Sequence, residues 1–267
     1  MTESSSAPDE GQIVVERRDA LTLIGIDRPM KRNGFTRAMF EGLSRAFQSF
    51  EDDPWARVAV LHAFGDHFSA GLQLDQFTEV FRDGRHLAPA GLVDPFQLHP
   101  PFRTKPCVAA MHGVCFTIAV ELMLAADIVV AASNCRFAQL EVKRGIMANH
   151  GATLRFVERA GWGNAMLYLL TGDEFDAEAA HRMGLVQEIV PAGRQLDRAI
   201  EIGERIAALA PLAVSATLAS AQTRIRESFP VAVAELGAIQ KRLFASEDAT
   251  EGVRSFADRR TAVFTGR

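Results

Sequence analysis

The 267-residue chain is 48% hydrophobic and 23% charged, with a net charge of -4, a composition that suits a globular protein with chain enough to bury a core. The mild negative charge excludes the basic footprint of a nucleic-acid or anionic-membrane binder. No apolar run approaches the ~20 residues of a transmembrane helix. Residues 1–10 are polar and acidic, lack the apolar core of a signal peptide, and are expected to form a disordered leader.

Two short β-branched runs follow, Ile13–Glu16 and Leu21–Ile26, and read as a hairpin. Asp27-Arg28-Pro29-Met30-Lys31-Arg32-Asn33-Gly34 is a loop punctuated by Pro and Gly whose cations suit either a solvated turn or a phosphate. An amphipathic helix is expected over 36–50, with Met39, Phe40, Leu43, Phe47 and Phe50 on one face and Thr36 as its start signal. Val58–Leu61 and Cys107–Met111 are continuous apolar strands of the kind covered on both faces. Each leads through a Gly-containing loop, and the recurrence predicts a coil of stacked units without a sequence repeat. Between them, residues 76–105 carry four prolines, with a fifth at Pro106, and read as a lid, a binding loop or a plain surface loop.

From Ile118 to Ala126 every residue but Glu121 is apolar. A helix apolar on all sides is buried, and a carboxylate buried with it is paired, neutralised or put to use. Glu141 follows the strand-like run Ile128–Ala132 and the segment Phe137-Ala138-Gln139-Leu140. The two glutamates are candidates for acid and base, although a core ion pair and a solvated turn account for the same residues. His150 reads either as an assistant to that chemistry or as a hydrogen-bonded structural histidine. Short helices at 164–170 and 176–183, a strand at 185–190 and helices from Arg194, interrupted at Pro211 and Pro230, complete the chain. Cys107, Cys115 and Cys135 lack metal-type spacing and lie in apolar sequence, as buried thiols of a cytoplasmic protein would. The absence of G-x-G-x-x-G, P-loop, H-E-x-x-H and G-x-S-x-G patterns leaves nucleotide hydrolysis, zinc peptidase and α/β-hydrolase chemistry without support.

Taken together, six ordered segments resemble the crotonase superfamily, the enoyl-CoA hydratase/isomerase family. They are Asp27–Asn33, Phe68–Leu74, His112 through Glu121 to Ile128, Gln139–Ile146, Thr171–Val186 and Glu251–Gly266. The resemblance implies an α/β fold, a crotonase-like spiral of ββα units over 11–195, with a C-terminal helical trimerisation region over 196–267. It implies an acyl-CoA thioester as substrate, no metal, no cofactor beyond the coenzyme A of the substrate, and a homotrimer or dimer of trimers.

By position, the backbone N–H groups of Leu72 and Ile118 would form an oxyanion hole, Ile118 standing at the positive end of the buried helix. Met30, Lys31, Arg32, Ser69, Ala70, Gly71, Gln73, Leu74, Gly113 and Thr117 would line the substrate and its CoA, and Arg259 and Arg260 would reach a CoA phosphate. Glu121 and Glu141 fill both acidic positions used by the family's hydratases. The expected reaction is therefore addition of water across the 2,3 double bond of a 2-enoyl-CoA. A Δ3-Δ2-enoyl-CoA isomerase, another crotonase-type acyl-CoA enzyme and a catalytically silent acyl-CoA-binding subunit are the alternatives. The chain departs from the family pattern at Thr117-Ile118-Ala119, where a Gly-rich run is common, at Gln73 in place of Asp, and at Ala148 and Ala152 beside His150.

Overall fold

A computed structural model describes residues 10–83, 86–227 and 229–267. The leader expected at 1–10 falls, but for Glu10, outside the described residues, as do Gly84 and Arg85. The hairpin forms as β1 (Gln12–Arg18) and β2 (Leu21–Asp27), antiparallel. Helix α1 (Arg37–Asp52) starts where Thr36 Oγ1 accepts the Met39 N–H at 3.2 Å. Thr36 Oγ1 also donates to the Glu10 carbonyl at 2.9 Å, which ties the start of the described chain to the helix. Replacing Thr36 by Ala should cost about 1 kcal/mol of unfolding free energy in urea, the usual worth of an N-cap.

Strands β3 (Val58–Ala63) and β4 (Cys107–Met111) frame the short helix α2 (Thr78–Arg82) and the irregular segment after it. Next come β5 (Val114–Phe116), α3 (Ile118–Ala125), β6 (Ile128–Ala132) and β7 (Arg136–Ala138). Helices α4 (Ala152–Ala160) and α5 (Trp162–Thr171), strand β8 (Phe175–Asp176), helix α6 (Ala177–Arg182) and strand β9 (Glu188–Val190) complete the core chain. The larger sheet runs β1-β2-β3-β4-β6-β9, parallel except for the hairpin, and the smaller runs β5-β7-β8. Each parallel strand continues into a crossover, which is the stacked arrangement expected from the two recurring units.

Alternation along the strands supplies both faces of the large sheet. Ile24, Ile26, Ala59, Leu61, Ala109 and Met111 point into the main core with α1 and α3. Leu21, Leu23, Val58, Val60, Val108 and Ala110 face the other way, onto Ala199, Ile200 and Ile202 of α7 (Gln195–Ala207). Grouped by sequence with the C-terminal helices, α7 is thus part of the core wall, because a two-faced apolar sheet needs a second cover. Helices α8 (Pro211–Arg226), α9 (Phe229–Phe244) and α10 (Glu247–Ala257) extend beyond it. Pro211 and Pro230 stand in the first turns of α8 and α9, where a missing N–H is tolerated. Among the described residues, no single helix is long and apolar enough to cross a membrane.

The buried helix α3 is anchored at its far end by charge. Arg103, 2% exposed, donates to Asp127 Oδ2 at 2.7 Å, to the Ala125 carbonyl at 3.2 Å and to the Lys105 carbonyl. Asp127 Oδ2 also accepts the Cys107 N–H at 2.8 Å, so one pair fastens α3 to the start of β4. The three cysteines are buried free thiols.

Candidate functional site

Helix α3 points its N-terminus at a cavity of about 510 Å³ lined by Ala70, Gly71, Leu72, Thr117, Ile118, Glu121, Leu140, Glu141, Ile146 and His150, among others. Two chain segments converge there. The first is held by Ser69, fully buried, whose Oγ donates to the Asn33 carbonyl at 2.7 Å and accepts the Gly71 N–H at 3.2 Å. Asn33, also buried, donates to the Phe64 and His67 carbonyls at 2.8 and 2.7 Å, so the loop before α1 is tied to the turn after β3. Gly71 lies at φ +115°, and a Cβ there would stand 2.6 Å from Thr117 Oγ1. Only glycine lets the two segments approach that closely.

The second segment turns at Gly113, where a Cβ would meet the Asp66 carbonyl oxygen at 2.1 Å. Thr117 then adopts φ 51°, ψ -113° immediately before α3. That conformation is costly for a β-branched residue, and it is held by the Thr117 N–H bond to the Ala138 carbonyl at 2.8 Å.

The N–H groups that these turns leave without a hydrogen-bond partner among the described residues include those of Leu72 and Ile118. Phe35 pairs with Leu72 through its own groups, taking the Gln73 N–H at 2.9 Å and donating to the Gly71 carbonyl at 2.9 Å. The N–H of Leu72 therefore faces away from Phe35. Ile118 is the first residue of α3, where an N–H has no intrahelical acceptor. Both residues line the same cavity.

Glu121 is 2% exposed, as an apolar helix requires. Its Oε1 accepts the N–H groups of His150 at 2.7 Å and Ala152 at 3.2 Å, and its Oε2 lies 3.6 Å from His150 Nδ1. Glu121 is therefore hydrogen-bonded in the site wall rather than paired with an Arg or Lys in the core. Glu141 begins a 3-10 turn, Glu141–Arg144, rather than lying on a solvated loop. Burial first, and then the Glu121 charge, push the Glu141 carboxyl up to about 7, against the opposing pull of its own backbone N–H. With its amide turned so that the nitrogen faces the surrounding acceptors, the orientation that satisfies both of its ends, Gln139, 1% exposed, donates to the Thr117 carbonyl at 3.1 Å and to both Glu141 oxygens at 3.3 Å. One amide thus couples the strained turn before α3 to the second carboxyl.

The remaining expected residues separate into groups. Lys31, Ala70, Gly71, Leu72 and Gln73 line a smaller cavity of about 330 Å³. Leu74 lines the main cavity, and Met30 is 92% exposed on the preceding loop. Arg32 is exposed and takes the left-handed conformation. Ser69 and Gly113 act on backbone geometry, through the contacts just described. Arg259 and Arg260 follow α10 and line none of these cavities. Arg260 is engaged by Glu251 at 2.6 and 2.8 Å and by Asp258 at 3.4 Å. Reasoning from sequence missed Gln139, and it missed the backbone N–H groups of His150 and Ala152. The signal available for Gln139 was a polar residue two positions from Glu141 in an otherwise apolar run.

A second cavity, about 830 Å³, meets the first at Phe81, Asn149 and His150. Its walls come from α1, α2 and the segment 86–100, with Phe40, Phe77, Leu92 and Phe96 giving an apolar interior. The proline-rich connection is accordingly the wall of a chamber. Asp94 shapes it by accepting the N–H groups of Phe96, Leu98 and His99 at 2.9, 2.8 and 3.0 Å.

Comparison with known proteins bears on the family and the fold. Residues 16–267 match the family model for enoyl-CoA hydratase/isomerase. The chain is 32% identical over 280 residues to an enoyl-CoA hydratase of Mycobacterium tuberculosis, covering 100% of both. It is 31% identical to the 2,3-dehydroadipyl-CoA hydratase of Escherichia coli, over 96% of this chain and 99% of that one. A crystal structure of a probable enoyl-CoA hydratase/isomerase from Mycobacterium abscessus superposes with a TM-score of 0.93 at 46% identity, covering 96% of this chain and 99% of that chain.

Proposed function

The chain belongs to the enoyl-CoA hydratase/isomerase family, and from that membership we propose that it adds water across the 2,3 double bond of a 2-enoyl-CoA thioester. The observation that carries the reading is the pair of glutamates lining one cavity, with the Glu141 carboxyl pushed up to about 7. An isomerase needs one such group; hydration uses two.

In this reading the thioester oxygen sits against the N–H groups of Leu72 and Ile118. Negative charge growing on that oxygen meets donors already in place and the positive end of α3. Water held between the glutamates attacks C3 and gives its proton to Glu121, whose Oε1 is fixed by two N–H donors. Glu141, carrying a proton near neutrality, delivers one to C2 of the enolate. Gln139 keeps both Glu141 oxygens in register with the turn that aims Ile118. No cofactor takes part beyond the coenzyme A of the substrate. Lys31, Arg32 and the Ala70–Leu74 strip accompany that CoA, and Met30 lies over it. Exposed apolar residues on the C-terminal helices, including Leu212, Leu236 and Val253, support assembly as a homotrimer or a dimer of trimers. Arg259 or Arg260 would meet a CoA phosphate only across such an assembly.

The acyl group would extend past Phe81 into the second chamber. Each methylene buried there is worth about 0.8 kcal/mol, roughly fourfold in kcat/KM. Hydration should therefore rise from crotonyl-CoA to a long-chain or aryl 2-enoyl-CoA, followed as loss of the conjugated thioester absorbance. A product heavier by one water with CoA attached supports the proposal. Conversion of a 3-enoyl-CoA without change of mass, and no hydration, would replace it with the isomerase.

A further inference from the structure

His150 is an ionisable residue of the site that neither the water addition nor the oxyanion contacts use. Its position is closely defined. The ring packs 4.6 Å from Phe96 and 5.9 Å from Phe81, centroid to centroid, and its side chain is 12% exposed. It stands in the wall shared by the catalytic cavity and the second chamber. Aromatic neighbours fix the ring plane, and Nδ1 stands 3.6 Å from the Glu121 carboxylate.

Glu121 has little freedom of its own. Two N–H donors, from His150 and Ala152, occupy the lone-pair directions of Oε1. Only Oε2 is left to take a proton from water. One of its sides faces His150 Nδ1 at 3.6 Å, within ion-pair range and beyond a hydrogen bond. Contacts of this kind are often long before substrate closes the site.

We propose that His150 is a positioning residue for Glu121: its Nδ1 engages one side of Oε2 and leaves a single lone pair aimed at the attacking water. This rests on the hydration reading and deepens it, because it assigns the base and acid roles to different glutamates. Two N–H donors fix Oε1 and the His150 ring stands 3.6 Å from Oε2, while burial first, and the Glu121 charge after it, push the Glu141 carboxyl up to about 7. Other charged groups face His150 from each packed element. Glu141 and Arg144 stand in the catalytic cavity. Arg37 and Glu41 of α1, and His86, Asp94 and His99 of the following segment, stand in the second chamber. Arg155, one turn into α4, donates to the Gln97 carbonyl at 3.0 Å. None of the charged groups in the second chamber lines the catalytic cavity, and of the two glutamates that do, Glu121 is the one in ion-pair contact with His150, at 3.6 Å.

The test uses two variants of the whole protein. H150F keeps the aromatic packing and removes the donor; H150N places an amide N–H near the position of Nδ1. With 13C-labelled glutamate in an E141Q background, the Glu121 carboxyl is titrated by NMR in the presence of each change. The midpoint should rise by about one pH unit in H150F, since a carboxylate that loses a donor holds its proton longer. It should return in H150N. In the parent enzyme, H150F should lower kcat about tenfold at unchanged KM and move the acid limb of the kcat profile upward, with H150N restoring both. Equal midpoints in all three proteins, each confirmed folded by circular dichroism, overturn the inference. The titration does not depend on turnover, so an enzyme that fails to hydrate any enoyl-CoA removes the hydratase reading and leaves this assignment to be decided by the midpoints.

Discussion

Replacing Glu141 by Gln is expected to lower kcat for hydration by ~10²–10⁴, the usual worth of a placed proton donor, while acyl-CoA binding stays within a few-fold. Gln keeps the size of the side chain and one of the two acceptors that Gln139 meets, and loses the proton that must reach C2. Glu121→Gln should fall by a similar factor, and the double variant by much less than the product, because the two groups work on one water. Near-normal turnover in either single variant would remove the paired-carboxylate mechanism. The pH dependence has a definite sign. With the Glu141 carboxyl at about 7, the acid form is present below that pH and lost above it, so kcat should decline on the alkaline side. The midpoint belongs to the coupled pair rather than to one residue. Stability follows the same linkage. A carboxyl raised above its unfolded value of about 4.5 favours the folded state fully below that value, and the contribution is lost as pH rises through about 7. E141Q should therefore gain stability over the parent progressively between those limits, by an order of 1–3 kcal/mol. Comparing denaturant midpoints at pH 5 and pH 8 measures it.

Much of this site was legible along the chain because burial betrays charge. A glutamate in the unbroken apolar run Ile118–Ala126 has nowhere to go but the interior, and α3 forms there with Glu121 facing the cavity. The parallel strands were legible for the same reason, since β3 and β4 are apolar on both faces. What stayed hidden depends on contacts between distant segments. The N–H groups that hold Glu121 come from residues 29 and 31 positions away, and no local pattern announces a backbone donor. Gln139 bridges Thr117 and Glu141 through a polar side chain that periodicity alone places only as buried. The segment 76–105 could be read as lid, binding loop or surface loop because prolines and turns do not reveal what they enclose. Packing against α1 makes it a chamber wall. Helix α7 resembled its C-terminal neighbours by amphipathic pattern, and only the second apolar face of the sheet determines that it belongs to the core.

The second large effect concerns a group that side-chain mutagenesis cannot remove. Replacing the Thr117–Ile118 amide by an ester, through incorporation of the α-hydroxy analogue of isoleucine at position 118, deletes one N–H and keeps the side chain. Under the proposed reaction kcat should fall by ~10²–10³, the typical loss for one oxyanion donor. The fold should tolerate the change, because an N–H at the first position of a helix has no intrahelical acceptor to lose. The same ester at Val120 provides the contrast. That N–H donates to the Thr117 carbonyl at 2.9 Å, so its loss should cost about 1 kcal/mol of stability with a far smaller change in rate. Infrared spectra of a bound, unreactive acyl-CoA give a direct reading of the same donor. The thioester carbonyl stretch should move to lower frequency in the parent protein, where two N–H groups polarise it, and return partway toward its free value in the Ile118 ester. A stretch unaffected by the ester, together with an unchanged kcat, would place the thioester oxygen elsewhere and detach the positive end of α3 from the chemistry.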